Sequence, residues 1–325
     1  MDNNELSYLD RIRIKEGADK LLSYYENLLM TDKWEAVNLI NDVNLSFAAF
    51  YIILPLITKY RLFRYLNHKN MAALGIINQI FLPKGNYQGI DYLSDNRSGR
   101  EVLKWIFDTG APDEVEDDDY EQILDVAASV LINTYSETEI LIKVRDLIFS
   151  RNRRGRYVND LVWAYFKSKS PEALSLIAEM LKSDDAKDNA LTLELLNIDS
   201  LYDQSLTNLE KYEAFNNWIA ENDPYLYFTE ESNQYSSRPV PVKADYERKY
   251  INKGFKGYEP QPLKPEDENE EECLAAFKPL DDDEKKALSE YSLKMRSKDF
   301  LTWRKWIKSP IDEQIKQMKS QSEEV

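Results

Sequence analysis

The 325-residue sequence holds few of the residues that build disulfide frameworks, metal cages and nucleotide-binding loops. The single cysteine, Cys273, excludes an internal disulfide. The single histidine, His68, excludes a metal cage of several imidazoles and leaves one candidate for the base of a Ser-His-Asp triad. Nine glycines leave little material for a glycine-rich phosphate-binding loop. We therefore predict no catalytic residues, no metal site and no cofactor.

Long apolar runs are also scarce. The longest stretch without a charged residue spans 43–58 and contains Pro55, whereas a membrane-spanning helix needs about 20 apolar residues. The first residues of the chain are polar and mixed in charge, without the apolar segment of a secretory signal. We expect a cytoplasmic protein that has no membrane partner.

The chain carries a net charge of −16, and its acidic excess lies after residue 110. A field of this sign repels the phosphates of nucleic acids, so we expect no nucleic-acid partner. The same field suits a protein partner that is basic. The acidic run at 113–121 lacks the spacing and the glycine of a calcium loop, and we interpret it as a solvated helix N-terminus.

Apolar residues recur every three or four positions along most of the chain, which indicates amphipathic helices and an all-α fold. Three successive helical hairpins begin near Arg97, Glu137 and Pro171. Their intervals, about 40 and about 34 residues, lie in or near the range of helical repeat units. The pattern predicts stacked hairpins of the α-solenoid type. The alternative is an irregular helical domain whose hairpins only happen to be similar in length.

The third hairpin resembles the HEAT/armadillo class of helical repeats. Pro171 heads its first helix, Asp184 and Asp185 lie in the turn, and Ala186-Lys187 stands where such a repeat usually opens its second helix with Val-Arg or Val-Lys. The resemblance covers about residues 97–198, and its pattern is degenerate. It implies a stacked right-handed helical array with a binding surface, and it implies no particular chemistry.

The composition changes at Asp223. We predict a helical repeat-like body over 1–222, an extended arm rich in proline and tyrosine with an acidic linker over 223–272, and a C-terminal helical segment over 273–325. Six prolines in the arm interrupt helix formation repeatedly. The arm also holds too many aromatic residues for a plain linker, so we expect it to lie on the chain itself or on a partner.

Three groups of residues are candidate binding sites. They are Arg151, Arg153, Arg154 and Arg156 of the segment RNRRGR, then Tyr225, Tyr227, Phe228 and Tyr235 of the arm, and finally Trp303 and Trp306. Guanidinium groups suit phosphate and carboxylate oxygens. The tryptophans share a helix with Arg304, Lys305 and Lys308, and an aromatic and basic surface of this kind suits nucleic acid or a membrane face. The alternatives are cations placed favourably at a helix C-terminus and tryptophans packed in a core.

These observations predict a non-enzymatic interaction or scaffold protein that uses a helical-repeat surface. Its protein partner would be basic or a second copy of the chain. The main alternative is a structural subunit of a larger assembly, held in place by the C-terminal arm. An acidic mimic of nucleic acid and an enzyme with an unrecognised acidic site are further hypotheses.

Overall fold

A computed structural model describes residues 6–82, 89–94, 97–113, 115, 117–231, 240–255, 257–258 and 260–322. The chain divides into two compact units, an N-terminal unit (Met1–Ser168) and a C-terminal unit (Lys169–Val325). The sequence prediction ended the helical body at residue 222, whereas the units divide after Ser168. Helical periodicity continues on both sides of Ser168, so the composition carries no signal of that boundary.

The described part of the N-terminal unit is helical, as the periodicity predicts. Its α-helices are α1 (Tyr8–Glu16), α2 (Ala18–Thr31), α3 (Lys33–Ile40), α4 (Phe47–Lys59), α5 (His68–Phe81), α6 (Arg97–Gly110), α7 (Asp118–Asn133), α8 (Leu141–Arg153) and α9 (Asn159–Phe166). Short 3₁₀ turns lie at Phe63–Tyr65, Ala111–Asp113 and Thr138–Ile140. Helix α4 contains most of the uncharged stretch, and it packs against α2 and α6 because Phe47, Phe50 and Ile53 are fully buried.

Helix pairs form at all three predicted hairpins. The first pair is α6 and α7, and the second is α8 and α9. The side chain of Asp117 caps α7 by accepting a hydrogen bond from the backbone N–H of Tyr120 at 2.9 Å. The hydroxyl of Tyr120 then donates to the carbonyl of Gly110 at 3.0 Å and so ties the start of α7 to the end of α6. Stacking of the hairpins into a solenoid stays a prediction.

The C-terminal unit is also mostly helical and contains one small sheet among its described residues. Its elements are α10 (Pro171–Ala178), α11 (Ala186–Leu196), α12 (Asn208–Asn222), β1 (Leu226–Phe228), β2 (Val242–Ala244), α13 (Tyr246–Ile251), α14 (Glu268–Phe277), α15 (Asp282–Lys298), α16 (Phe300–Trp306) and α17 (Ile311–Ser322). Short 3₁₀ turns lie at Glu179–Lys182, Asp199–Tyr202 and Asp223–Tyr225. Strands β1 and β2 are antiparallel, with Leu226 opposite Ala244 and Phe228 opposite Val242.

One hydrophobic core joins the predicted arm to the predicted C-terminal helical segment. The ring of Tyr250, on α13, stacks on Phe277 of α14 with 4.3 Å between ring centroids. Helix α13 also packs along α15, and Leu288 of α15 is fully buried in the same cluster. The described part of the arm therefore includes two strands and a helix that pack within the C-terminal unit.

Within the described residues, we find no helix with the length and apolar character that crossing a membrane requires.

Candidate functional site

The segment RNRRGR ends α8 and begins the connection to α9. The α-helix stops at Arg153, and Gly155 adopts a φ of 71°, a left-handed conformation that glycine allows without strain. Arg151 and Arg153 are two residues apart on α8 and so lie on different faces of the helix, and the turn at Gly155 comes before Arg156. The four candidate arginines therefore lie in three separate environments.

Arg151 lies inside the unit. Its side chain is fully buried, and its Nη1 donates to Asp125 Oδ1 of α7 at 2.6 Å. Its Nη2 donates to the backbone carbonyl of Glu121 at 3.3 Å. These contacts join α8 to α7, so this arginine is placed to stabilise the unit rather than to bind a partner.

A cleft of about 660 Å³ opens between α7 and α9, and we call it the acidic cleft. Carboxylates line it from two helices: Asp118, Glu121 and Asp125 from α7, and Asp160 from α9. The three residues of α7 follow a three- and four-residue spacing, which places them on one helix face. Arg156 and the two aromatic side chains of Tyr157 and Trp163 complete the charged and aromatic lining.

Arg156 spans the mouth of the acidic cleft through two ion pairs. Its Nε donates to Glu121 Oε1 at 2.7 Å, and its Nη2 lies 2.5 Å from Asp118 Oδ1. The hydrogen bond that Arg156 donates to Glu121 is the main reason that the pKa of Arg156 is raised. The Asp118 side chain remains 94% exposed and so can face a second cation from solvent.

An exposed aromatic ring stands beside these carboxylates. Tyr157 is 59% exposed, and its hydroxyl lies 3.4 Å from Asp160 Oδ1. Burial of the hydroxyl, followed by the negative charge of Asp160, raises the pKa of Tyr157. The Trp163 ring is half-buried and already has the ammonium group of Lys167 at 5.5 Å from its centroid. The acidic cleft therefore offers a cation both aromatic rings and carboxylates within one opening.

The chemistry available at the acidic cleft is that of binding cations. Within the described residues, no group of three or more His, Cys, Asp or Glu side chains is arranged to hold a metal ion. A basic side chain with an aliphatic stem suits the mixture of carboxylates and rings better, because the ring contacts the stem and the carboxylates face the charge.

Arg153 and Arg154 are exposed and line a second cleft of the N-terminal unit. The Nε of Arg154 donates to the carbonyl of Ser150 at 3.3 Å, near the C-terminus of α8, where cations are favoured.

The aromatic candidates of the arm contact residues of their own unit. Tyr225 and Phe228 are buried, and the Tyr225 hydroxyl hydrogen-bonds Asn252. The ring of Tyr227 packs edge-on against Phe255. Tyr235 lies outside the described residues. These rings have intramolecular contacts, and the hypothesis of a subunit held by its arm stays a prediction, which the mass in solution tests.

The two candidate tryptophans belong to the hydrophobic core of the C-terminal unit. Trp303 is buried, and its Nε1 donates to Ser292 Oγ at 2.8 Å. The Trp306 ring lies edge-on to Tyr291 with 5.3 Å between centroids. Core packing was one of the two sequence interpretations, and the contacts follow that one.

Tyr157, Asp160 and Trp163 were not among the residues singled out from the sequence. Their signal is weak, because Tyr157 and Asp160 follow the arginine segment as ordinary loop and helix-start residues. The sequence analysis interpreted the acidic run at 113–121 as a solvated helix N-terminus and did not single out the helix face that Asp118, Glu121 and Asp125 share. The side of the helix that faces α9, however, is decided only by packing.

No family model matches this chain, and comparison with curated proteins and with solved structures found no match either. The resemblance to helical repeats therefore depends on the sequence pattern alone.

Proposed function

We propose that this chain is a non-enzymatic protein-interaction module whose acidic cleft binds a basic segment of a partner protein. The observation that carries the proposal is the lining of this cleft. Carboxylates from two helices surround one opening, and the exposed ring of Tyr157 lies beside them. Such an opening attracts a lysine or arginine side chain and excludes an acidic one.

The binding step combines several weak contacts. The charged group of a partner lysine or arginine lies over the face of the Tyr157 ring, where a cation–π contact at an exposed site contributes about 0.5–1 kcal/mol. Its charge faces Asp160, and a second basic residue pairs with the exposed carboxylate of Asp118. Because the pairs are solvent-exposed, their attraction falls as ionic strength rises.

The proposal includes a helical-repeat architecture of HEAT-like type and a cytoplasmic location. The three helix pairs and their intervals support the first, since repeat proteins use such pairs to form binding surfaces. The single cysteine supports the second, because oxidising compartments favour disulfide-rich chains.

Fluorescence anisotropy with a fluorescein-labelled peptide rich in Lys and Arg tests the proposal on the full chain. We expect Tyr157→Ala and Asp160→Asn each to weaken binding by about three- to tenfold. Asp146→Asn is the matched control, since Asp146 is an exposed carboxylate on α8 that does not line the acidic cleft. Equal affinity of all four proteins, or no binding by the unsubstituted chain at low salt, would overturn the proposal.

A further inference from the structure

A second cleft of the N-terminal unit, about 740 Å³ in volume, has a lining of the opposite charge. Its cationic side chains are Arg13 of α1, Lys143 and Arg153 of α8, and Arg154 directly after α8. Among the described lining residues, Asp146 supplies the one carboxylate, and Arg145 pairs with it at 2.8 Å. We call this the basic cleft. The positive charge of this lining contrasts with the net charge of the chain, which is −16.

The basic cleft follows one face of α8. Lys143, Leu147, Ser150 and Arg153 line it with the three- and four-residue spacing of a helix face. Lys143 and Arg153 stand at its two ends. At a rise of 1.5 Å per residue, their Cα atoms lie about 15 Å apart along the helix axis. The positive charge is therefore spread along a groove rather than focused on one point.

Part of the lining between these ends is apolar. Leu147 is buried beneath the surface, and Ala111 and Pro112 contribute apolar atoms from the turn after α6. A ligand that matches this lining carries anionic groups at separated positions and apolar or neutral groups between them. A protein segment has that character.

Existing contacts leave the two end cations able to change partners. Lys143 pairs with Asp108 at 2.6 Å, but its side chain is half exposed, and exposed pairs of this kind contribute little to stability. Arg153 is exposed at the other end of the groove. Arg13, by contrast, lies deeper and pairs with Asp10 at 3.5 Å, so it adds positive charge without having to move.

We infer that the basic cleft binds an extended acidic segment of a partner protein, with carboxylates at two positions about four or five residues apart. The spacing follows from the geometry, because an extended chain rises about 3.3 Å per residue and the end cations are about 15 Å apart. A single phosphate ion reaches only one end of such a groove. Carboxylates at both ends form charge-assisted hydrogen bonds with Lys143 and Arg153 together.

Two labelled peptides of identical composition test this inference on the full chain by fluorescence anisotropy. In one, pairs of glutamates are separated by leucine and neutral residues to match the groove, and in the other all glutamates are contiguous. We expect the spaced peptide to bind about tenfold more tightly, because only it contacts both end cations. Equal affinity of the two peptides would overturn the inference.

Variants locate the site. Lys143→Gln and Arg153→Gln are each expected to weaken binding of the spaced peptide by about three- to tenfold. Lys20→Gln removes the same charge from an exposed position on α2 outside the groove and should leave the affinity unchanged. The acidic-cleft variant Asp160→Asn should also leave it unchanged, so this result is independent of the proposed function. Wild-type affinity in Lys143→Gln and Arg153→Gln, with unchanged circular dichroism, would refute the site.

Competition with inorganic phosphate distinguishes a site for a phosphate ion from a site for an acidic protein segment. If it displaces the spaced peptide at concentrations near the peptide's own dissociation constant, the groove is a site for a phosphate ion and the inference is wrong. Displacement only at ionic strengths that screen all exposed charges equally supports an acidic protein segment.

Discussion

The guanidinium of Arg151 is fully buried and donates to Asp125 at 2.6 Å, which places an ion pair between α8 and α7. Arg153, two residues further along, is exposed at the end of the basic cleft. Two arginines of the same short segment thus have unrelated roles. One joins two helices, and the other presents charge to solvent.

Replacing Arg151 tests the structural role of this pair. Arg151→Met leaves the Asp125 carboxylate without its buried cation, so we expect the free energy of unfolding to fall by about 3–5 kcal/mol. Urea denaturation measures the change. Arg153→Met is the control and should change stability by no more than about 0.5 kcal/mol. Equal effects of the two substitutions would show that the buried pair does not stabilise the unit.

Gly110 ends α6 where the chain passes close to α7. A Cβ atom there would lie 2.9 Å from both the Leu124 side chain and the Tyr120 hydroxyl, and 3.1 Å from the Phe47 ring. We expect Gly110→Ala to destabilise the chain by about 1–3 kcal/mol through overpacking.

Thermal unfolding measures the effect of Gly110→Ala. A second substitution, Leu124→Val, shortens one of the obstructing side chains and should recover part of the loss in the Gly110→Ala background. If Gly110→Ala is neutral, the approach of α7 to the end of α6 is looser than the structure places it.

Tyr258 makes the free energy of unfolding depend on pH in the alkaline range. Burial, and then the hydrogen bond that its hydroxyl donates to Asp223 at 2.6 Å, raise the pKa of Tyr258 to about 12. An unfolded tyrosine titrates near about 10. The folded state therefore keeps the proton longer, and its stabilising contribution is complete below about pH 10 and is lost as pH rises from about 10 to about 12.

Urea unfolding at several pH values across this window checks the Tyr258 prediction. Stability of the unsubstituted chain should decrease more steeply with pH than that of Tyr258→Phe, which has no hydroxyl to ionise. The remaining tyrosines titrate in both proteins and provide a common background. Parallel curves for the two proteins would contradict the prediction.

Cys273 should react slowly with thiol reagents. Burial is the main cause that raises its pKa, and the carboxylates of Glu270 and Glu272 add to it. The thiol also donates to the carbonyl of Ile307 at 2.9 Å. Because the thiolate is the reactive form, we expect labelling by a disulfide reagent near neutral pH to be at least about tenfold slower than in the urea-unfolded chain.

A charge substitution separates the effect of burial on the reactivity of Cys273 from the effect of the nearby carboxylates. Glu272→Gln removes one nearby negative charge and should accelerate labelling modestly at low salt, whereas burial keeps the reaction slow in both proteins. Rapid labelling of the folded, unsubstituted chain would contradict the burial of this thiol.

The sequence by itself determined the helical class, the places where the three hairpins begin and the sign of the net charge. Each of these depends on residues that are neighbours along the chain. The three- and four-residue periodicity selects helices, and caps such as Asp117 act within one turn. Glu270 and Glu272, which add to the raised pKa of Cys273, are also its close neighbours in sequence.

Tertiary structure alone decided which arginine is buried and where the clefts lie. Asp125 and Arg151 are 26 positions apart in sequence. Arg13 of α1 lines the basic cleft although it is far in sequence from the residues of α8. Pairing of β1 with β2, and burial of Tyr225 and Tyr250, likewise depend on contacts between residues that are distant in sequence. Composition shows that charges and rings are present, whereas packing between distant helices decides which of them face each other and which face solvent.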